Sequence, residues 1–346
     1  MLLNNIDEVR CVLRVSPSTS YDLLATHIAN AENAFLLPLL GPEMYSALLK
    51  YHSDPANHRY TNPDLLLVVK QEGSTPEQGE PLPDEKTRAW SLVLWFSQHA
   101  LLHLSYFLGF DALNAYISDA GFQRSEGERT KSLYKYQEDN LKRYFLDTGM
   151  NSLDQVLEYL ERYNEHFSEF HTALKQIKSH ILPTAASFHA HYFINNSRLT
   201  FLRLQQHIQT VEDINITQAV GADNMRYIYS ELQKTEPAPK VGKILPYLRP
   251  PIVYIASAML MEESGADLTE RGLYFKAQRS TSNSDYVMHA SESRIIDLVR
   301  RNKELGQVYL NRLLKYLNDN KEWAFEWSPG GRTINRNNTD KKIFVA

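Results

Sequence analysis

Two histidines, His99 and His103, have the spacing in this chain that comes nearest to a metal site. They lie four positions apart, so one face of a helix would present both imidazoles, as zinc-binding helices do. No glutamate lies between them in the order of a zinc-protease motif, and the surrounding residues 90–110 are strongly apolar. Histidines on such a helix are more often hydrogen-bonded inside a core. The same applies to His189 and His191, which alternate with aromatic residues, and we therefore expect no metal site.

Pairs of carboxylates offer a second kind of chemistry. Glu158 with Glu161, and Glu165 with Glu169, have the spacing of one helix face and could act as a general acid and a general base. These residues lie on long polar segments, where carboxylates are normally solvated. We therefore expect no catalytic role for them.

Motifs for phosphate binding and for a cysteine nucleophile are missing. The chain has no GxxxxGK[ST] loop and no GxGxxG after a strand, and Gly330 and Gly331 precede no helix that could hold a phosphate. The single cysteine, Cys11, has no catalytic motif around it and is expected to be a small core residue. The sequence thus predicts no catalytic residue, no cofactor and no metal ligand, and we expect that the protein is not an enzyme.

Composition sets the class of protein. The chain has 346 residues, of which 43% are hydrophobic and 23% charged, and this length fits two domains. The formal net charge of −4 gives no global positive field that would recruit nucleic acid. One cysteine agrees with a reducing compartment, and neither a secretory signal nor an uninterrupted apolar run of membrane length is visible. We expect a cytoplasmic protein without membrane contact.

Two segments of the chain resemble each other. Residues 112–125 are ALNAYISDAGFQRS and residues 266–280 are ADLTERGLYFKAQRS, and similar helical patterns surround Gly41 and Gly221 upstream. The spacing between these landmarks agrees once a loop insert at residues 52–86 is removed from the first copy, where the second has only 235–243. The pattern favours an internal duplication.

Helical periodicity predicts the elements of each copy. We expect a mainly α fold of two tandem, diverged helical-bundle modules, 1–178 and 179–320, each with a short β-hairpin, followed by an extended arm at 321–346. In the first module, a turn at residues 147–149 is expected to separate helices at 132–145 and 152–178. In the second, the long apolar helix is expected at 252–261, after Pro246, Pro250 and Pro251. Its hairpin is expected to be four residues longer.

The C-terminal arm begins with alternating aromatic residues. Trp323, Phe325 and Trp327 alternate with Ala324 and Glu326, which is typical of an extended segment that docks one face on its own domain or on a neighbour. The following polar run equally fits a simple disordered tail.

Basic residues offer a different function. Lys142 and Arg143 lie near tyrosines, and Arg300 and Arg301 form a second basic stretch. Both stretches alternate with acidic residues, as solvated helix faces do, so nucleic acid is not the expected partner. A nucleic-acid-associated or regulatory binding protein that uses these faces stays the alternative.

A resemblance to a known family supports the main hypothesis. The segments YDLLATHIANAENAFLLPLLGPEMYSALL, ISDAGFQRSEGERTKSLYKYQEDN and LDQVLEYLE resemble an uncharacterised Bacteroidetes family found among prophage structural genes. The order of helices is also similar in outline to the helical head-tail connector proteins of tailed phages. The family is a domain of unknown function, so the resemblance implies a context more than an activity. Together with the duplication and the missing catalytic constellation, it favours a non-enzymatic connector or tail-associated subunit, incorporated in a virion, with self-association or phage structural proteins as partners. The expected partner contacts are Phe122, Arg124, Phe275, Arg279, Trp323, Phe325 and Trp327.

Overall fold

The computed structural model describes residues 1–13, 15–16, 19–54, 84–113, 115–118, 121–124, 134–170, 181–234, 236–264, 266–269, 272–275, 292–320 and 323. These residues are mainly helical, as the periodicity predicts. They divide into two compact units, which we call module 1, up to residue 176, and module 2, from residue 177.

Module 1 is built around two long antiparallel helices. Its elements are α1 (Ile6–Val12), α2 (Tyr21–Ala31), a π-helical turn (Glu32–Leu36), α3 (Leu37–Ser53), α4 (Glu85–Leu113), strands β1 (Ala115–Ser118) and β2 (Gly121–Arg124), α5 (Lys135–Arg162) and a 3-10 turn (Asn164–His166). The strands β1 and β2 are antiparallel, with Ala115 opposite Arg124.

Module 2 has the same order of elements. They are α6 (Ala185–His189), α7 (Arg198–Val211), a π-helical turn (Glu212–Ile216), α8 (Thr217–Val220), α9 (Ala222–Leu232), α10 (Pro239–Ser264), strands β3 (Ala266–Thr269) and β4 (Gly272–Phe275), and α11 (Glu292–Asp319). The strands β3 and β4 are antiparallel, with Ala266 opposite Phe275.

Each module has a glycine in the left-handed region just after its π-helical turn. Gly41 has φ 76° and Gly221 has φ 93°, a backbone conformation that residues other than glycine rarely adopt. Gly41 breaks α3 internally, and Pro42 follows at a position that suits a helix start. Gly221 separates α8 from α9 in the same way. Both glycines therefore interrupt a helical segment at the same place in their module.

A buried glutamate begins each π-helical turn. Glu32 accepts a hydrogen bond from the backbone N–H of Leu2 through Oε1, at 2.9 Å. Glu212 accepts one from the hydroxyl of Tyr229 through Oε2, at 3.0 Å. Both carboxylates are almost fully buried, so these donors replace the water that each carboxylate has lost.

The two long helices of each module approach closely at a glycine. Gly149 of α5 faces Leu104 of α4, and a methyl group added at Gly149 would lie 2.6 Å from Leu104 Cγ. Gly306 of α11 faces Ile255 of α10, and a methyl group there would lie 2.5 Å from Ile255 Cγ1. The prediction of a turn at 147–149 is wrong, because the missing side chain of Gly149 serves helix packing and α5 is continuous.

The prediction for the proline-rich helix is also wrong. Pro246, Pro250 and Pro251 lie inside α10, which begins at Pro239. Prolines in a helix interior weaken it by removing hydrogen bonds, but α10 buries an apolar face along its length that includes Val241, Leu248 and Ile252. The described strands of the two modules have equal length and spacing, so they contain no longer second ribbon.

α10 also has the composition of a membrane span. Residues 239–263 reach a mean hydropathy of 1.3 over their most apolar window, and half of that window is buried inside the module. The buried residues contact α7 and α11 in the core of module 2. Packing within the module accounts for the buried half of this window.

Candidate functional site

The histidine pair on α4 is packed into module 1. The rings of His99 and His103 stack with centroids 4.4 Å apart. His103 Nδ1 lies 2.8 Å from the carbonyl oxygen of His99, and His99 Nδ1 lies 3.2 Å from Ser152 Oγ on α5. Burial and the neighbouring His103 lower the pKa of His99 to about 4, and burial lowers the pKa of His103. His99 thus links α4 to α5 through Ser152, whereas the Nδ1 of His103 bonds within α4 and its ring contacts Phe145 of α5.

One cluster of potential metal ligands is present in the described part of the chain. Glu85, Glu165 and His166 have ligand atoms within 4.8 Å of one another, at the end of module 1 where α4 begins and α5 ends. The two glutamates are exposed. Exposed carboxylates are common without a metal, so the cluster is better described as part of a charged surface. The other pair, Glu158 and Glu161, lies on α5 just before it, and Glu158 accepts a hydrogen bond from Arg162.

For most of the predicted partner contacts, the structure describes the backbone alone, or the residue lies outside the described part of the chain altogether. The backbones of Phe122 and Arg124 lie in β2, and that of Phe275 lies in β4. Their side chains, and all of Arg279, Phe325 and Trp327, lie outside the described residues. By strand register, Phe275 rather than Arg279 occupies in module 2 the place that Arg124 occupies in module 1.

Trp323 packs against its own module. Its side chain is only 4% exposed and belongs to the core of module 2. Asn224 Nδ2 donates to the carbonyl oxygen of Trp323 at 3.3 Å, and the ammonium of Lys240 lies 5.0 Å from the centre of the ring. The sequence pattern predicts that the start of the arm docks either on its own domain or on a neighbour, and Trp323 docks on its own domain. Its side chain is therefore not accessible to a partner in this conformation.

Exposed apolar side chains collect at the start of the last long helix in each module. Around the start of α5, Tyr134 is 71% exposed and Tyr144 is 51% exposed. Early in α11, Ile296 is 58% exposed. We call these groups the helix-start surfaces; module 1 contributes Tyr134, Tyr136, Leu141 and Tyr144, and module 2 contributes Ile295, Ile296 and Leu298.

The helix-start surfaces follow the strand pairs in the chain, and sequence patterns alone do not reveal them as apolar sites. In the sequence, the tyrosines of module 1 stand out only as neighbours of basic residues. The signal in module 2 is the run RIIDLVRR, in which three apolar residues occur within the first turns of a strongly charged helix. Contiguous exposed apolar patches are a common feature of contact surfaces, which makes these two groups the candidate site.

Aromatic contacts between the long helices also recur in the two modules. Phe96 of α4 stacks on Tyr159 of α5 with centroids 5.3 Å apart. Tyr247 of α10 stacks on Tyr316 of α11 at 4.2 Å. Tyr159 and Tyr316 each lie ten residues after the close-contact glycine of their helix. Two separate contacts therefore place the long helices in the same register in both modules.

Comparison with protein families identifies the group to which the chain is related. A model described as a family of unknown function, DUF6712, matches residues 36–179 and 216–333, together 262 of the 346 residues. The chain belongs to the DUF6712 family. No curated protein and no solved structure matches it.

The two segments that match DUF6712 start at equivalent places in the fold. Residue 36 is the last of the π-helical turn in module 1, and residue 216 is the last of the π-helical turn in module 2. Each matched segment then runs through the left-handed glycine, the long helix pair and the strands. The left-handed glycine, the long helix pair and the strands thus recur within the DUF6712 segments, whereas the buried Glu32 and Glu212 lie just before them.

Proposed function

We propose that this DUF6712 protein is a non-enzymatic assembly subunit of a phage-like particle, a connector or tail-associated component that acts through protein contacts. The carrying observation is that both modules expose apolar side chains at the same place, the start of the last long helix. Apolar side chains that cluster at one exposed place support contact with another molecule, because covering them removes apolar area from water.

The proposal includes an internal duplication. The matched glycine contacts, Gly149 with Leu104 and Gly306 with Ile255, support it together with the equivalent starts of the two family segments. A duplicated and diverged chain presents two related but different surfaces. That property suits a subunit with different neighbours on its two sides.

The strand pairs form part of the proposed contact region. β2 and β4 carry Phe122, Arg124 and Phe275, and each strand pair precedes a helix-start surface in the chain. We propose that hairpin and helix start are covered together by a neighbouring subunit. Bacteroidetes and prophage origin belong to the same proposal, through the resemblance of the sequence.

Incorporation of variants into particles tests the proposed function. We expect Y134S/Y144S and I295S/I296S to reduce the amount of the protein in particles isolated from its native host by about tenfold, since each removes apolar contact area. L23S and I214S are matched controls, because Leu23 and Ile214 are equally exposed but lie elsewhere. Equal incorporation of all four variants would remove the helix-start surfaces from the account.

A further inference from the structure

The two modules carry opposite net charge. Residues 1–176 contain 24 acidic and 15 basic residues, a net charge of −9, whereas residues 177–346 contain 17 acidic and 22 basic residues, a net charge of +5. The net charge of the whole chain, −4, is therefore small because the charges of the two modules are opposite and partly cancel. Two copies of the chain attract each other when unlike modules meet and repel when like modules meet.

Part of the charge difference between the modules lies at one end of each module. In module 1, the end where α4 begins and α5 finishes carries Glu85, Glu158, Glu161 and Glu165, which we call the acidic end. Basic groups offset part of this charge: Arg162 donates a hydrogen bond to Glu158, Lys86 lies exposed beside Glu85, and His166 Nε2 lies 3.7 Å from Glu165. Glu85 and Glu165 are exposed and lie close to each other.

The equivalent end of module 2 is more basic. Arg312 and Lys315 lie exposed on α11, and Lys243 lies exposed near the start of α10, beside the exposed acidic residues Glu236 and Asp319. We call Arg312, Lys315 and Lys243 the basic end. The reversal is direct at one position, because Glu158 and Lys315 each lie nine residues after the close-contact glycine of their helix.

We propose that the acidic end of module 1 in one copy binds the basic end of module 2 in a second copy. This proposal rests on the proposed function and adds its mode of self-association. Contact between unlike surfaces is heterologous, so each copy keeps one end of each kind for a further neighbour. The result is a ring when the rotation between copies closes and a filament when it does not.

Charge complementarity favours a second copy over nucleic acid as the occupant of the basic end. Every copy that supplies a basic end also supplies an acidic end, in equal number. Duplex DNA bound at the basic end would also be repelled by the negative charge of module 1, because phosphate is itself negatively charged. Nucleic acid is therefore an outcome of the test that would count against the proposal.

Paired charge-reversal variants of the full chain test this proposal. Sedimentation velocity of the unmodified protein should show association that weakens about tenfold or more in Kd between 50 and 500 mM NaCl, because salt screens exposed charges. E161K/E165K and R312E/K315E should each fail to self-associate at 50 mM NaCl. E43K/D213K and R203E/R226E are controls with the same changes in net charge at exposed sites elsewhere.

Mixing the two inactive variants gives the decisive result. E161K/E165K keeps its basic end and R312E/K315E keeps its acidic end, and the two reversed ends are also opposite in charge, so an equimolar mixture should regain the association that neither variant shows alone. Association of the mixture also proves that both variants are folded at the ends they retain. Four results would each overturn the proposal. Three of them are a monomeric unmodified protein, association that does not depend on salt, and a mixture that stays monomeric. The fourth is a protein that does not self-associate but binds a DNA duplex, with this binding lost in R312E/K315E. Particle incorporation without unlike-end association would leave the proposed function standing.

Discussion

Gly149 and Leu104 are in direct contact where α5 crosses α4, and the space for a side chain at residue 149 is filled by the Leu104 side chain. Gly306 and Ile255 make the same contact between α11 and α10. Each contact fixes the register of its own helix pair. It therefore determines where the surface residues of one helix lie relative to those of the other.

Substitution of these glycines should destabilise each module. For Gly149→Ala and Gly306→Ala we expect a loss of about 1–3 kcal/mol in the free energy of unfolding, because overpacking outweighs the helix propensity of alanine. Gly242→Ala is the matched control: Gly242 lies in α10 with no atom near an added methyl group. It should be neutral or stabilising by up to about 1 kcal/mol. Urea unfolding monitored by circular dichroism measures all three variants, and equal effects would contradict the packing argument.

Acid should destabilise module 1 through His99. Its folded pKa of about 4 lies below the ordinary value of 6.5, so the unfolded chain binds more protons between these pH values. The stability it contributes is present above pH 6.5 and is lost as the pH falls toward 4. Since the ring is partly exposed, we expect a loss of about 1–2 kcal/mol. His99→Gln should unfold with a shallower dependence on pH in this window, and an unchanged slope would show that other groups are responsible.

Alkali should act on module 2 through Tyr229. Burial, followed by the nearby Glu212 carboxylate, raises the pKa of the Tyr229 hydroxyl above its ordinary value of 10.0. The stability from this group is therefore complete below pH 10 and is lost as the pH rises above it. Tyr229→Phe should lower the free energy of unfolding by about 1–2 kcal/mol at pH 7, because the buried carboxylate loses a donor. It should also reduce the loss above pH 10, whereas Tyr144→Phe, at an exposed position, should change neither measurement.

The helix order and the glycine breaks could be predicted from the sequence because apolar periodicity and the conformational freedom of glycine are local properties. The role of Gly149 could not, since a glycine that ends a helix and one that admits a neighbouring helix look alike until the neighbour is known. Likewise, Pro246 and its neighbours read as a helix boundary, but burial of the α10 face overrides that local preference. For Trp323 the sequence left open docking on its own domain or on a neighbour, and only tertiary packing distinguishes the two.

The shared QRS sequence of two short segments aligns Arg124 with Arg279. Strand register instead places Phe275 opposite Ala266, as Arg124 lies opposite Ala115. Backbone pairing is a stronger constraint than a match of three residues, and it places the equivalent residue four positions earlier, at Phe275. The helix-start surfaces needed the structure, because exposure of Tyr134 or Ile296 cannot be read from periodicity alone.

The location of the protein in its native host tests the central claim most directly. Phage-like particles would be purified on a density gradient, and their protein content determined by quantitative mass spectrometry. The account predicts that this protein is present at a fixed number of copies in each particle and stays bound through repeated purification. Recovery of the protein entirely in the soluble fraction, while particles form without it, would contradict the account.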